Sequence, residues 1–373
     1  MMATRVAVVF GTRPEAIKMC PLVDELKRCG DFSVLTCVTG QHKDLLNGAM
    51  EVFGITPGVN LAVMREGQSL SELTAALVSG LEKIFGVHRP DAVLVHGDTC
   101  SAFAASLAAF YMRIPVYHVE AGLRTYNMHS PFPEELYRRA ISLMAELHFA
   151  PTETARENLL CEGANDERIF VVGNTVVDSL KYTLRSDYRH ALLEWVADRR
   201  LVLLTAHRRE NQGSAMENIF LAVRKVAQMH GDIAVIYPMH PNPEVRKTAK
   251  RILGGCEGIK LCEPLDVFDF HNLLSRAYMV LTDSGGIQEE ACALGVPTLV
   301  VRDTTERGEG VSTGGIRLTG TGKTEVEQAF SELLDNPEAY EKMRFSQNPY
   351  GDGTSSAQIC QIMRKKLALF TEL

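Results

Sequence analysis

Residues 5–18 read R-V-A-V-V-F-G-T-R-P-E-A-I-K. The consecutive apolar side chains suit a strand over 5–10 that is buried on both faces, as strands of a parallel sheet are. Gly11 frees the turn that follows, Pro14 suits the first position of a helix, and an amphipathic pattern continues to 29. Arg13 and Lys18 set cations beside the amino end of that helix, a place suited to a phosphate. An ordinary strand–helix connection with solvated cations fits the same residue types equally well.

The pattern repeats outward from there. Apolar runs at 33–39, 91–96, 115–119 and 168–172 alternate with helical patterns at 69–85, 99–112 and 133–147, which specifies a doubly wound α/β domain. After a polar segment at 185–200 the alternation restarts, with strands at 201–206, 233–237, 278–282 and 298–301 and helices at 216–229, 268–275 and 285–294. The expected domains are 1–178 and 179–354, both Rossmann-like, with a final helix in 355–373 crossing back to the first.

The 373 residues suit two domains of roughly 150 each. A net charge of −7, from 39 Lys and Arg against 46 Asp and Glu, argues against nucleic acid as a partner. No apolar run approaches the ~18 residues of a membrane span, and M-M-A-T-R before the first strand is too short in its apolar part to be expected to act as a secretory signal. Nine cysteines without a C-x-x-C pair predict neither a disulfide framework nor structural zinc, and the expected compartment is the reducing cytoplasm. Two glycine-rich stretches fail as nucleotide loops. G-T-G-K-T at 320–324 has Arg317 where a phosphate loop needs its first glycine, and G-E-G-V-S-T at 308–313 has Thr313 at the third glycine position of a dinucleotide fingerprint. No cofactor and no metal is expected.

Chemistry gathers at strand ends. H-G-D-T at 96–99 and H-V-E-A-G-L-R-T at 118–125 each put a carboxylate, Asp98 and Glu120, at the carboxyl end of a strand, where open α/β sheets bind ligands. S-P-F-P-E-E at 130–135 adds Glu134 if a helix starts at Pro133. Three carboxylates in one crevice shift one another's pKa and can supply both an acid and a base. The alternatives are helix capping for Asp98 and a first-turn acid favoured by the helix dipole for Glu134. In the second half, A-H-R-R-E-N at 206–211 presents His207 at a strand end. L-T-D-S-G-G-I-Q-E-E-A at 281–291 opens a helix with Ser284, Gly285 and Gly286, whose N–H groups suit phosphate oxygens, and Glu290 lies about a turn further in. Phe270 fills the core or stacks a base, and Arg307 is a ligand cation or a surface ion-pair partner.

Taken together, F-G-T-R-P-E-A-I-K-M, H-G-D-T, H-V-E-A-G-L-R-T, P-E-E, H-R-R-E, D-S-G-G-I-Q-E-E, R-D-T-T-E-R and N-P-Y-G-D-G make a chain that resembles the non-hydrolysing UDP-N-acetylglucosamine 2-epimerases nearly end to end. The resemblance implies a glycosyltransferase-B arrangement of the two Rossmann-like domains, an active-site cleft between them, and a homodimer formed through the first. It places Arg13 and Lys18 near the nucleotide-sugar, Ser284, Gly285 and Gly286 at the diphosphate, Glu290 at the ribose, Phe270 beside uracil and Arg307 in the nucleotide site. Asp98, Glu120, Glu134 and His207 match the family's catalytic positions. The implied reaction is reversible epimerisation at carbon 2 by elimination and re-addition of UDP, with hydrolysis to UDP and N-acetylmannosamine as the alternative. Gln41, Arg208 and His240 match a second, allosteric UDP-N-acetylglucosamine site, but Asp44 and Gly67 stand where some members carry Gln and Arg. Without that arginine, diphosphate recognition there weakens, and a substrate titration free of cooperativity would support the absence of an activator site.

Overall fold

The computed structural model describes residues 3–40, 43–65 and 67–370. It divides into two compact units, one built from the described residues up to 182 and from 351 onward, the other from 183–350.

The first unit carries a parallel sheet of β1 (Thr4–Phe10), β2 (Phe32–Val38), β3 (Val59–Asn60), β4 (Ala92–His96), β5 (Val116–Val119), β6 (Leu147–Ala150) and β7 (Ile169–Val171), in the order β3-β2-β1-β4-β5-β6-β7. The second has β8 (Arg200–Thr205), β9 (Ile233–Pro238), β10 (Ile259–Cys262), β11 (Met279–Thr282), β12 (Thr298–Val300) and β13 (Ile316–Leu318), in the order β10-β9-β8-β11-β12-β13. The expected α/β class therefore holds, and each order is the Rossmann one, in which the chain reverses direction of travel beside its first strand.

Continuous burial explains the central strands. Val6–Phe10, Ala92–Val95 and Leu201–Leu204 are buried, and they pack against helices on the two faces of each sheet. The helix expected over 133–147 runs only from Glu134 to Met144, because Ala145 turns extended and β6 starts three residues after the helix ends. Strands β3, β6, β10 and β13 and several helices, among them Lys43–Val52, Glu153–Cys161, Pro243–Leu253 and Lys323–Asp335, are additions to the expected set. Among the described residues no helix is long and apolar enough to cross a membrane.

Candidate active site

In the first unit the sheet order reverses between β1 and β4, and Glu15 stitches the two strand ends together. Its carboxylate accepts from the N–H groups of Gly11 at 3.0 Å and Thr12 at 2.8 Å and from the Thr99 hydroxyl at 2.7 Å. Burial raises its pKa, and those donors, Thr99 foremost, oppose the rise. Arg13 opens the helix Arg13–Arg28 directly after this turn.

Gly97 ends β4 with φ 61°, and a Cβ there would stand 3.4 Å from Glu120 Oε1. The buried ring of His118 holds this turn. Burial lowers its pKa to about 3, so the neutral imidazole donates from Nε2 to the Gly97 carbonyl at 2.8 Å. Asp98 comes next and does not cap the following helix. Thr99 does, accepting from the Ala102 N–H at 3.0 Å, while Asp98 pairs with Arg138 at 2.6 Å. The same guanidinium holds the buried Glu135 at 3.2 Å.

Glu120 follows β5 with φ 61°, a left-handed conformation that costs a non-glycine residue about 1–3 kcal/mol. Its side chain, 7% exposed, pairs with Lys18, accepts from Asn174 Nδ2 at 2.6 Å, and has His96 Nε2 at 3.7 Å. A buried ion pair persists only when further hydrogen bonds satisfy it, which is what Asn174 contributes. Lys18 and Glu120 are thus brought together, and Asp98 stands at the neighbouring strand end. Glu134 is the first residue of its helix, as the dipole favours, and its buried Oε2 has no hydrogen-bond partner among the described residues. No hydrogen bond joins it to Asp98 or Glu120.

In the second unit the reversal lies between β8 and β11. Asp283, fully buried after β11, organises it: Oδ2 accepts from the N–H groups of His207 and Arg208, each at 2.8 Å, and from Asn211 Nδ2 at 3.1 Å. Its Oδ1 lies 3.5 Å from His207 Nδ1. The His207 ring stacks on His240 at 5.0 Å, and burial together with His207 lowers the pKa of His240. Helix Gly285–Ala293 begins after Ser284 with no side-chain cap, which leaves its first-turn N–H groups for a ligand. Gly285 is needed for space, because a Cβ there would meet Glu306 Oε1 at 2.9 Å and the Arg307 guanidinium at 3.2 Å.

Arg307 is buried rather than a surface ion-pair partner, held by Glu289 at 2.9 Å and Glu306 at 2.7 Å. Arg302 and Arg208 reach the same Glu306 at 3.1 Å and 3.6 Å. Glu290 is 7% exposed and lies 3.5 Å from His271. Phe270 packs, partly buried, against the core under Leu273 and Leu274.

Comparison with known proteins shows the family of the chain. A family model described as UDP-N-acetylglucosamine 2-epimerase matches residues 24–364. The chain belongs to that family. It is 49% identical to the UDP-N-acetylglucosamine 2-epimerase of Bacillus subtilis over 361 residues, 97% of this chain and 95% of that one. The crystal structure of a UDP-N-acetylglucosamine 2-epimerase assigned from Listeria monocytogenes superposes with a TM-score of 0.94 at 50% identity, covering 96% of this chain and 95% of the other. The Neisseria meningitidis UDP-GlcNAc 2-epimerase bound to UDP-GlcNAc superposes with a TM-score of 0.92 at 42% identity, covering 97% and 100%. A glycotransferase of kitacinnamycin, 13% identical with a TM-score of 0.66, shares the glycosyltransferase-B-like fold alone. UDP-N-acetylglucosamine 2-epimerase activity is accordingly the activity of this chain.

Within that family frame, Arg208 and His240 both stand beside His207, Arg208 by sequence and His240 by stacking. Gln41 lies outside the described residues. Four organising residues, Glu15, His118, Asn174 and Asp283, are absent from the sequence-derived set. Asp283 carried a signal, an acid at a strand end like Asp98. Glu15 carried one too, three residues after Thr12 in a capping-box spacing. Asn174 carried none, since only the fold brings it to Glu120.

Proposed function

We propose that the chain interconverts UDP-N-acetylglucosamine and UDP-N-acetylmannosamine without hydrolysis, by eliminating UDP and adding it back. The observation carrying this reading is Glu120, a buried carboxylate on left-handed backbone at a strand end, with a cation and an amide already on it. Carbon 2 of the sugar has no neighbouring carbonyl to acidify its hydrogen, so simple deprotonation is too slow. Elimination avoids the problem. As a carboxylate takes the proton, the C–H electron pair forms the carbon 1–carbon 2 double bond and the carbon 1–oxygen pair leaves with UDP, giving 2-acetamidoglucal. In reverse, UDP adds to carbon 1 and a proton reaches carbon 2 from the opposite face.

Asp98 and Glu120 carry the two protons, Glu134 stabilises the cationic sugar, and His207 with Arg13 stabilises departing UDP. Lys18, paired with Glu120, lies near the nucleotide-sugar. Ser284, Gly285 and Gly286 hold the diphosphate through backbone N–H groups, Arg307 supports that site, Glu290 takes the ribose and Phe270 the uracil. Water must be kept from the glucal. The P-E-A-I-K-M continuation after G-T-R favours the non-hydrolysing course.

Proton NMR with UDP-N-acetylglucosamine in heavy water tests this. Deuterium at carbon 2 of both epimers with little free UDP is the expected result. Stoichiometric UDP and free N-acetylmannosamine would replace it with hydrolysis.

The chain is further proposed to act as a cytoplasmic homodimer through its first unit, where Phe110, Tyr111 and Leu143 are 56%, 66% and 85% exposed. Sedimentation at twice the monomer mass, lost in Leu143→Glu, is expected.

A further inference from the structure

The second unit has a cavity of about 490 Å³ at the amino ends of β8, β11 and β12, the edge of the sheet opposite His207, Asp283 and Ser284. That volume is in the range of small-molecule sites, about 300–1,000 Å³. Its lining includes Arg199, Arg200, Arg276 and Arg344 and no carboxylate, in a chain of net charge −7.

The arginines are not all accounted for by what surrounds them. Three helices end here, Ala191–Val196, Val267–Leu274 and Gly285–Ala293, and each carboxyl end counts as about half a negative charge. Arg199 caps the first, donating from Nε to the Val196 carbonyl at 3.1 Å, and Arg276 caps the second, donating to the Asn272 carbonyl at 2.9 Å. Arg200 pairs with Asp232 at 2.6 Å. Four cations thus face one carboxylate and helix ends worth about one and a half charges, leaving an excess of roughly one and a half. Donors remain as well. The Nε of Arg200 is buried without a hydrogen-bond partner, and Arg344 makes no hydrogen bond or ion pair among the described residues, only a 5.5 Å approach to the Phe345 ring.

We propose that this cavity binds a small phosphate-bearing anion. Guanidinium forks match phosphate oxygens two at a time, and the partly enclosed site strengthens each pair relative to open water. Arg344 takes the phosphate. Arg199, bonded to the Trp195 and Val196 carbonyls, Arg200, bonded to the Leu334 carbonyl and Asp232, and Arg276, bonded to the Asn272 carbonyl, contribute charge. This site is separate from the one proposed for UDP and does not depend on it.

The sole tryptophan reports occupancy, because the Arg199 guanidinium lies 4.5 Å from the Trp195 ring. The full chain is titrated with inorganic diphosphate, and any calorimetric component that Arg344→Glu leaves unchanged is assigned to the amino end of Gly285–Ala293. Both Trp195 fluorescence and calorimetry are read. Saturable binding is expected, with its midpoint raised at least tenfold in Arg344→Glu and raised again by added salt. Arg344 is exposed, so the variant folds, and circular dichroism checks that it has. No saturable signal by either method, or a midpoint unchanged in Arg344→Glu, would overturn the proposal.

Discussion

The two units build the same sheet order twice and furnish the reversal point in opposite ways. In the first, carboxylates gather there: Glu15, Asp98 and Glu120, each met by specific donors. In the second, one buried carboxylate, Asp283, turns backbone N–H groups inward, while Arg208, Arg302 and Arg307 are matched by Glu210, Glu289 and Glu306. Three arginines against three glutamates leave little net charge. An arriving phosphate there relies on the uncapped helix and on displacing carboxylates from arginines. On the proposed reading, one fold makes a site for moving protons in one copy and a site for gripping an anion in the other, and the side chains at a few strand ends decide which.

The sharpest test of that contrast is Glu120→Gln, which keeps a polar side chain and removes the acceptor of a proton. Carbon 2 exchange should fall by about 10²–10⁴ with UDP affinity little changed, since acid–base groups contribute on that order. Retained exchange would move proton transfer elsewhere. Asp283→Ala should strike the second unit. Three donors lose a charged acceptor worth about 1.5–3 kcal/mol per bond, so hydrogen exchange should speed up over 206–211 and KM rise by about tenfold or more. Gly285→Ala should act more narrowly. The added Cβ presses on Glu306 and Arg307, which predicts a KM for UDP-N-acetylglucosamine raised roughly tenfold with kcat within about threefold.

The smallest effect concerns acid stability. His118 and His148 are cross-strand partners on β5 and β6, and burial lowers their pKa values from 6.5 to about 3 and about 4. Both values are depressed on folding, so the unfolded chain binds protons that the native form refuses. The stability is fully present above pH 6.5 and is lost progressively as pH falls toward 3. His240 of the second unit is lowered too, by partial desolvation and the stacked His207, but it reaches solvent and contributes less. Between pH 6.5 and 4, hydrogen exchange should therefore accelerate around β5 and β6 before it does around β8 and β11. Equal acceleration in the two sheets would refute the assignment.

What could be read from the sequence follows the same physics. Central strands announce themselves as unbroken apolar runs, and β1, β4, β5, β8, β9, β11 and β12 were all legible. Of the edge strands only β7 was, as the run at 168–172. β10 reads I-K-L-C and β13 reads I-R-L, with a charged residue in the middle because one face meets solvent, and β3 is two residues long. L-H-F-A of β6 hid for another reason: a histidine in a four-residue strand next to a helix breaks the apolar pattern, although His148 is buried. At the site, acids and cations at strand ends were visible as types and positions. Their partners were not, because Lys18 lies 102 residues from Glu120 and Asn174 lies 54 away.

The return of the chain to its first unit has a consequence for how the molecule is made. Asp178 accepts from the N–H groups of Ser355 at 3.2 Å and Ser356 at 2.7 Å, and Arg364 meets Asp31 at 2.5 Å. On the ribosome, the unit that begins first is therefore the one completed last. The nested second unit emerges whole while its host still waits for the closing helix, so the window in which the nascent chain is exposed to aggregation belongs to the first unit, and a chain that stalls short of Ser355 leaves that unit unfinished.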